Sequence, residues 1–154
     1  MQPVQVRPED HTLHAEILSL LQRCFSYMDG RIDPPSSVHR LTGAGIAKTC
    51  AEGEVWSIGR PAAACVFLTP KPHALYLGKL AVDDTHRGEG LASALVAVAA
   101  ERSRALGLPT LELESRIELT EVHAAFTRLG FHKTAEHAHA GYDRPTEIVM
   151  QMAL

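Results

Sequence analysis

The stretch Arg87-Gly88-Glu89-Gly90-Leu91-Ala92 constrains this chain more than any other part of its sequence. It follows an apolar run from Ala74 to Val82 that predicts a strand, and it opens a strongly helical pattern. Two glycines at such a junction let the backbone turn tightly and leave its N–H groups without partners. These amides and the positive end of the following helix suit an anion. The junction therefore predicts a binding site for the phosphate of a nucleotide or coenzyme.

Length, charge and cysteine usage narrow the class of protein. The chain has 154 residues, which predicts one domain over residues 1–154 with a stable core. Its net charge of −3 argues against nucleic acid or an anionic membrane as a partner. Three scattered cysteines without a Cys-x-x-Cys pair favour reduced thiols over a disulfide framework. The first residues lack a hydrophobic signal region, and Leu91–Ala100 is too short to span a bilayer, so we expect a cytoplasmic protein.

Hydrophobic spacing and turn residues predict the other elements. Asp10 is the expected cap of an amphipathic helix that ends at Gly30, and Ser36 or Ser37 the cap of a weaker helix that reaches Ala51. Two further helices are predicted over residues 91–106 and 121–129. Strands are predicted at Val4–Arg7, Val55–Ile58, Ala62–Leu68, Ala74–Val82, Leu111–Glu114, Phe131–His139 and Glu147–Met152. The order βααβββαβαββ predicts a three-layer α/β domain with a mixed sheet.

Two motifs carry a resemblance to a known family. After Leu80-Ala81-Val82, the residues Arg87, Gly90 and Ala92 fill the three defined places of the pattern Gln/Arg-x-x-Gly-x-Gly/Ala. The run from Phe126 to Phe131 is similar to the ending Tyr-x-Lys-x-Gly-Phe. With this element order, the chain resembles the GNAT superfamily of N-acetyltransferases. The resemblance implies a three-layer α/β/α GNAT-like fold with a central mixed, mostly antiparallel sheet.

The same resemblance implies acetyl-CoA as co-substrate and assigns the residues that bind it. Amides around the glycine junction would hold the pyrophosphate, main-chain groups of Leu80 and Val82 would pair with the pantetheine arm, and the Leu80 amide would polarise the thioester carbonyl. A pocket near Leu80, Leu113 and Phe126 would set the length of the acyl group. The implied cofactor-binding residues are Leu80, Ala81, Val82, Arg87, Gly88, Glu89, Gly90, Leu91, Ala92, Ser93 and Phe126.

Rival sites fit the sequence less well. A dinucleotide fingerprint Gly-x-Gly-x-x-Gly fails because Ser93 stands at its third glycine, and a Walker loop would need Gly-Lys-Ser/Thr. His132, His137 and His139 lack a cysteine or carboxylate at ligand spacing, so no metal is expected.

Acyl transfer needs a neutral amine, so a proton acceptor is the first catalytic group to find. A lysine side chain, with a pKa of about 10.4, costs roughly 4 kcal/mol to deprotonate at pH 7.4, and an α-amine under about 1 kcal/mol. Leu113-Glu114-Ser115-Arg116 is similar to the Leu-Glu-Val-Arg run of GNAT enzymes that acetylate protein N-termini, which implies Glu114 as the base.

The motif leaves the identity of the general acid open. In those relatives a tyrosine twelve positions after the glutamate is the acid, and here that position is Phe126, which cannot donate a proton. His123, one helical turn earlier, and Tyr142, in a polar loop, are the two candidate substitutes. A thiolate leaving group, with a pKa near 8.5, also leaves open a reaction without any protein acid.

Acceptor binding is expected, by analogy with the family, at the exit of the first helix and in the last loop. Arg31 and Arg144 suit a carboxylate, and Asp33 suits a cationic amine. Cys24 and Cys65 lie in apolar patterns and are predicted to be buried, which favours direct attack in a ternary complex over a covalent cysteine route. The candidate acceptor residues are Tyr27, Arg31, Asp33, Ser36, Tyr76 and Arg144.

The sequence thus predicts an acetyltransferase that acts on a small-molecule amine or a peptide N-terminus. Two alternatives stay open: a CoA-binding regulatory module with little turnover, and transfer of a different acyl group. The expected partner is the amine acceptor, with no nucleic acid and no membrane, and a homodimer is an open possibility because many GNAT relatives dimerise.

Overall fold

A seven-stranded sheet in the order β1-β2-β3-β4-β5-β7-β6 forms the middle of this computed structural model, which describes residues 1–154. The strands β1 to β7 are Pro3–Gln5, Glu54–Ile58, Ala64–Pro70, Leu75–Val82, Thr110–Arg116, His132–His137 and Glu147–Ala153. The helices α1 to α4 are His11–Phe25, Gly43–Glu52, Leu91–Ala105 and Thr120–Arg128. None of these helices combines the length and the apolar character that crossing a membrane requires.

The sheet is mixed, and its strand directions match the expectation from sequence. Strands β4 and β5 run parallel, and every other neighbouring pair is antiparallel. One apolar cluster, which includes Leu95 and Leu113, lies between the sheet and α3. A second cluster, which includes Ile17 and Ile46, lies between the opposite face of the sheet and α1 with α2. The predicted three-layer α/β/α architecture is therefore confirmed.

The start of α2 differs from the prediction. Ser36 caps only a short 3₁₀ turn, Ser37–Arg40, and its hydroxyl accepts a hydrogen bond from the amide of Val38 at 3.2 Å. Leu41 then returns to an extended backbone, and Thr42 caps α2 by accepting from the amide of Gly45 at 3.0 Å. Both Ser36 and Thr42 are residue types that cap helices, and Thr42, which directly precedes the continuous helix, is the one that caps α2. The 3₁₀ turn is therefore separate from α2, and it lines a cavity next to β4.

A β-bulge interrupts the pairing of β3 with β4. Cys65 pairs with Ala81 and Phe67 with Gly78, so β4 contains one more residue than β3 between these two pairs. Within the bulge, Lys79 has a φ of 51°, in the left-handed region that non-glycine residues rarely adopt. Such strain concentrates at sites where the chain must aim a particular group.

Beyond the bulge, β4 separates from β5. The two strands pair only at Leu75 with Leu111 and Tyr76 with Glu112. From Leu77 to Val82 the edge of β4 that faces β5 has no strand partner. A wedge-shaped opening therefore forms between two neighbouring strands, and its floor continues into the glycine junction.

Candidate active site

A cavity of about 560 Å³ occupies the opening between β4 and β5. The exit of α1 and the 3₁₀ turn cover one side of it, and the start of α4 closes the far end. Strand residues supply its polar floor, whereas the covering segments are mainly apolar. Its lining includes Phe25, Tyr27, Met28, Ile32, Pro34, Ser36, Tyr76, Lys79, Leu80, Val82, Arg87, Leu113, Glu114, Arg116, Phe126, His139 and Glu147.

The glycine junction presents a row of free amides beside this cavity. Gly88 and Gly90 have φ values of +81° and +78°, and open space surrounds the position of a Cβ at each. The amides from Gly88 through Ser93 donate to no protein acceptor, and Ala94 is the first to bond, to the carbonyl of Gly90 at 3.0 Å. Consecutive free N–H groups at the start of a helix suit an anion, and we call this row the anion cradle. Phosphate binding there stays a prediction.

The unpaired edge of β4 offers main-chain groups along the cavity. Leu80 is half-buried and lines it, and the carbonyl of Val82 accepts the thiol hydrogen of Cys24 at 3.4 Å. The prediction that Cys24 is fully buried is wrong, because α1 ends where the cavity begins and leaves this position at its wall. Burial of the thiol still raises the pKa of Cys24, which keeps it protonated and unreactive.

Phe126 closes the end of the cavity from α4. It is half-buried, packs against the apolar cluster beneath α3, and meets Phe131 edge-to-face with ring centroids 5.7 Å apart. Leu80 and Leu113 line the same cavity, so the three residues expected around an acyl group share it. The aromatic ring at position 126 contributes shape and apolar surface but no proton.

Two carboxyl groups face the cavity from neighbouring strands. Glu114 on β5 is paired with Val149 of β7, and Glu147 of β7 is paired with Arg116, which places both glutamates on one face of the sheet. Burial raises the pKa of Glu147 to about 7, and the hydrogen bond and negative charge of Glu114 act in the same direction, against Arg116 and Lys71. The pair can therefore hold one proton near neutral pH and release it just above.

Sequence reasoning missed Glu147. Its strand was predicted, but the register that brings it beside Glu114 comes from pairing between β5 and β7, about thirty residues apart in the chain. The only sequence signal was alternation: Glu147, Val149 and Gln151 fall on the face opposite the core residues Ile148 and Met150.

Tyr76 adds a phenol to the same cavity. It lies on β4 at the last pair before the strands separate, and Lys71 Nζ stands 4.3 Å from its ring centroid. Burial, together with the nearby charge of Glu114, raises the pKa of Tyr76. Its hydroxyl thus stays protonated throughout the physiological range and is a donor inside the cavity.

Comparison with known proteins agrees with this geometry. The sequence model of the Acetyltransferase (GNAT) family matches residues 14–131. The chain belongs to the GNAT family. A comparison with curated protein sequences finds no match.

Solved structures share the fold over almost the full chain. An aminoglycoside 6'-acetyltransferase type Ii has a TM-score of 0.75 at 16% identity, covering 99% of this chain and 97% of that chain. The ribosomal-protein-S18-alanine N-acetyltransferase from Escherichia coli gives 0.68 at 19% identity, covering 99% and 94%. A chain of the NatC complex bound to Gag peptide and CoA gives 0.66 at 20% identity, covering 100% and 99%.

GNAT enzymes use acetyl-CoA, and the residues at this site fit a coenzyme of that shape. The free amides suit a pyrophosphate, and no atom lies within 4 Å of an added Cβ at Gly88 or Gly90, so the turn leaves room for one. The unpaired β4 edge suits the amides of a pantetheine arm. Arg87 lines the cavity, with its guanidinium held 2.8 Å from Asp84.

The two candidate acids of this GNAT chain lie outside the cavity lining. The ring of His123 contacts the carbonyl of Arg116 through Nε2 at 2.9 Å. The hydroxyl of Tyr142 donates to the carboxylate of Asp33 at 2.5 Å. Both side chains are thus engaged in contacts that hold segments around the site, and an acid role for either stays a prediction.

Three of the candidate acceptor residues line the cavity, namely Tyr27, Ser36 and Tyr76. The other three form contacts around its mouth. Arg31 pairs with Glu121 of α4 at 2.7 Å, and Arg144 pairs with Asp33 at 3.4 Å. The two loops expected to recognise the acceptor are therefore joined to each other and to α4.

Arg116 connects the loop after α1 to strand β5. Its guanidinium donates to the carbonyl of Pro34 at 2.5 Å and to that of Pro35 at 3.1 Å. The loop that covers the cavity is thereby fixed two residues from Glu114 on β5. The sequence predicted no role for Arg116, which was named only as the last residue of the motif that contains Glu114.

His139 lies at the edge of the carboxyl pair. Its Nε2 is 3.8 Å from Glu147, and Nδ1 contacts Thr146 Oγ1. Burial and the neighbouring charge of Arg116 lower the pKa of His139. His132 and His137 lie on β6, and no group of three histidine, cysteine or acidic side chains is arranged as a metal site.

Proposed function

We propose that this chain is an N-acetyltransferase that moves an acetyl group from acetyl-CoA to a primary amine by direct attack in a ternary complex. The observation that carries the proposal is the pair Glu114 and Glu147, which faces the cavity next to the unpaired β4 edge and the free amides. A proton acceptor and an open strand edge meet in one cavity, and the anion cradle lies beside it, which is what acyl transfer to an amine requires.

The amide row is the main source of coenzyme affinity in this proposal. A hydrogen bond to a charged group contributes about 1.5–3 kcal/mol, whereas the helix dipole adds roughly 0.3–1 kcal/mol. With six amides free between Gly88 and Ser93, the shape of the loop outweighs the dipole of α3. The Leu80 amide, beside the bulge, is the candidate donor to the thioester oxygen.

The carboxyl pair removes the proton from the acceptor amine. When bound, acetyl-CoA supplies an acyl group activated as a thioester, which the amine nitrogen attacks while the carbon–sulfur bond breaks. An ionised Glu114 and Glu147 accept the amine proton, and a pKa of about 7 at Glu147 is well matched to that task near neutral pH. Tyr76 is the donor available to the leaving thiolate.

The acceptor class rests on the size and polarity of the cavity. Its volume of about 560 Å³ suits a small molecule or the first residues of a peptide. The names of the structural neighbours include both kinds of acceptor, an aminoglycoside and a protein alanine. A CoA-binding module without turnover would have no use for a cavity carboxyl group, that of Glu147, whose pKa is raised to about 7, so we favour the enzyme.

The test is calorimetric titration with acetyl-CoA and CoA, followed by thiol release with a panel of α-amines and alkylamines. We expect binding of both ligands and amine-dependent release of CoA. Glu114→Gln and Glu147→Gln should each lower the release at least tenfold without changing CoA affinity. Glu101→Gln, an exposed residue of α3, is the matched control. Absence of CoA binding would overturn the assignment, and binding without release for any amine would favour the regulatory module.

A further inference from the structure

Two basic side chains line the cavity without a carboxylate partner. Lys79 hydrogen-bonds only to Ser37 Oγ, at 3.2 Å, and Arg40 makes no hydrogen bond or ion pair. The other basic residues of the lining are occupied: Arg87 pairs with Asp84, and Arg116 donates to two loop carbonyls. The chain has more acidic than basic residues, with a net charge of −3, and yet neither of these two cations in the cavity has an acidic partner.

The position of Lys79 is set by the bulge. Residues alternate across a strand, and the extra residue in β4 resets this alternation, so that Lys79 lies over Phe67 with Nζ 6.0 Å from the ring centroid. Phe67 belongs to the cluster under α1 and α2. The left-handed φ of 51° at Lys79 is the strain that accompanies this placement.

Burial makes the unpaired ammonium costly. Lys79 is half-buried, and its pKa is lowered by burial and by the charge of Arg40. Two like charges that converge on a partly desolvated cavity are stabilised when an anion binds between them. Water and a single hydroxyl are poor substitutes for such an anion.

Lys79 and the carboxyl pair lie on the same face of the sheet, and Arg40 belongs to the 3₁₀ turn that covers this face. Leu113 and Ile148 point into the cluster beneath α3, so the alternate residues Glu114 and Glu147 face the opposite side. Lys79 faces that side as well, through Phe67 and Ser37. The cavity therefore holds opposite charges at two places, with Lys79 on its floor at the bulge, Arg40 in the covering turn, and the carboxyl groups across the opening.

We propose that the acceptor is a primary amine that also carries an anionic group, which Lys79 and Arg40 bind while the amine faces Glu114 and Glu147. This inference rests on the proposed acetyltransferase function and names its substrate class. The anionic group is a carboxylate or a phosphate. Arg31 and Arg144, which the sequence offered for this role, are already paired with Glu121 and Asp33.

The test compares amines that differ only in their anionic end. The probes are a series of ω-amino carboxylates of increasing chain length, the matching carboxamides, and ω-aminoalkyl phosphates. For the best chain length, we expect kcat/KM of an anionic probe to exceed that of its carboxamide at least tenfold, mainly through KM. The preference should weaken at high salt, because screening reduces the attraction between charges. Carboxylate and phosphate series distinguish the two anions.

Variants locate the effect at the basic pair. Lys79→Met and Arg40→Gln should each reduce the preference for the anionic probe over its carboxamide at least fivefold, because the loss falls mainly on the anionic probe. Arg40 is exposed, so its variant is expected to fold even if Lys79→Met does not. Lys48→Met, an exposed and unpaired cation of α2 outside the cavity, controls for net charge and should keep the full preference.

Binding and turnover separate the two proposals. Calorimetry of the CoA-loaded protein with an amino carboxylate and with its carboxamide measures the preference without chemistry. A binding preference that Arg40→Gln abolishes, with no turnover of any amine, would support the subsite and overturn the acetyltransferase. Turnover of amines with equal kcat/KM for acid and carboxamide, unchanged in both variants, would overturn the subsite and leave the acetyltransferase standing.

Discussion

Glu114 and Glu147 stand on adjacent strands with their carboxyl groups within hydrogen-bonding reach, and burial with this contact raises the pKa of Glu147 to about 7. Neither residue is near the other in sequence. Their meeting converts two ordinary glutamates into a group that changes charge at physiological pH.

The first prediction concerns the pH dependence of turnover. With an acceptor amine whose own pKa lies below 6, kcat/KM should rise with pH and level off above about 7, because the carboxyl pair accepts a proton only when it is ionised. A rate profile between pH 5 and 9 measures this limb. In Glu147→Gln the rise of kcat/KM near pH 7 should be absent, and kcat/KM should be at least tenfold lower. Glu101→Gln should keep the pH dependence and the rate of the unmodified protein. A limb that persists unchanged in Glu147→Gln would contradict the assignment.

The second prediction concerns stability. Because the pKa of Glu147 is higher in the folded chain than its usual 4.5, folding favours its protonated form. That contribution is complete below about pH 4.5 and is lost as the pH rises to about 7. Glu147→Gln keeps a neutral side chain at every pH, so at pH 8 it should raise the free energy of unfolding by about 1 kcal/mol, after allowance for solvent screening.

Urea denaturation at pH 5 and at pH 8 measures this effect. The gain from Glu147→Gln should be present at pH 8 and nearly absent at pH 5. An equal gain at both pH values would mean that the substitution acts through packing rather than through the carboxyl pair.

The third prediction concerns the anion cradle. Gly90→Val forces a β-branched residue into a φ of +78°, which should distort the turn that presents the free amides, so CoA affinity should fall at least thirtyfold. Gly141→Val is the matched control, since Gly141 has a φ of +86°, no neighbour within 4 Å of an added Cβ, and a place in the loop between β6 and β7.

Calorimetry and thermal melts on both variants separate strain from binding. The two substitutions should lower the melting temperature to a similar degree, and only Gly90→Val should lose CoA. Similar losses of CoA affinity in both would show that the effect is general destabilisation.

The fourth prediction concerns Arg116. Arg116→Gln removes the donors to the carbonyls of Pro34 and Pro35, so the covering loop should loosen and the KM for the acceptor should rise about tenfold. The positive charge of Arg116 also lowers the pKa of Glu147, so its removal should move the midpoint of the pH–rate profile upward. CoA affinity should be unchanged.

Two readouts distinguish this role from a general loss of structure. A rise in KM together with an upward shift in the pH midpoint fits Arg116 as a positioning residue. A fall in kcat with an unchanged pH midpoint would contradict a positioning role for Arg116. Arg128→Gln, an exposed arginine at the end of α4 with no ion pair, is the control for loss of charge.

The geometry of the glycine junction was predictable because its signals are local. Glycines at 88 and 90 adopt the positive φ that only glycine takes up easily, directly after a strand and before a helix. The fold followed from the order of elements and from the alternation along each strand. These features need only a few neighbouring residues to be recognised.

The acceptor half was less predictable because its contacts join distant parts of the chain. Glu147 depends on strand register, and Lys79 depends on a bulge that the sequence does not mark with glycine or proline at that position. The predicted burial of Cys24 was wrong because the apolar stripe of a helix does not show where the helix extends past the core. Cys24 lies in that last part of α1, at the wall of the cavity. The predicted cap at Ser36 or Ser37 was wrong because Thr42 offers a better start for α2.

The gap between β4 and β5 has a consequence for how such a chain can change over generations. The groups proposed to bind the coenzyme are main-chain atoms of β4 and the amides of the glycine junction beside it, so coenzyme binding depends little on particular side chains. The proposed acceptor half depends on individual residues such as Lys79, Arg40 and Arg116. In the proposed enzyme, inherited substitutions can therefore change the acceptor amine without altering the half that binds the coenzyme.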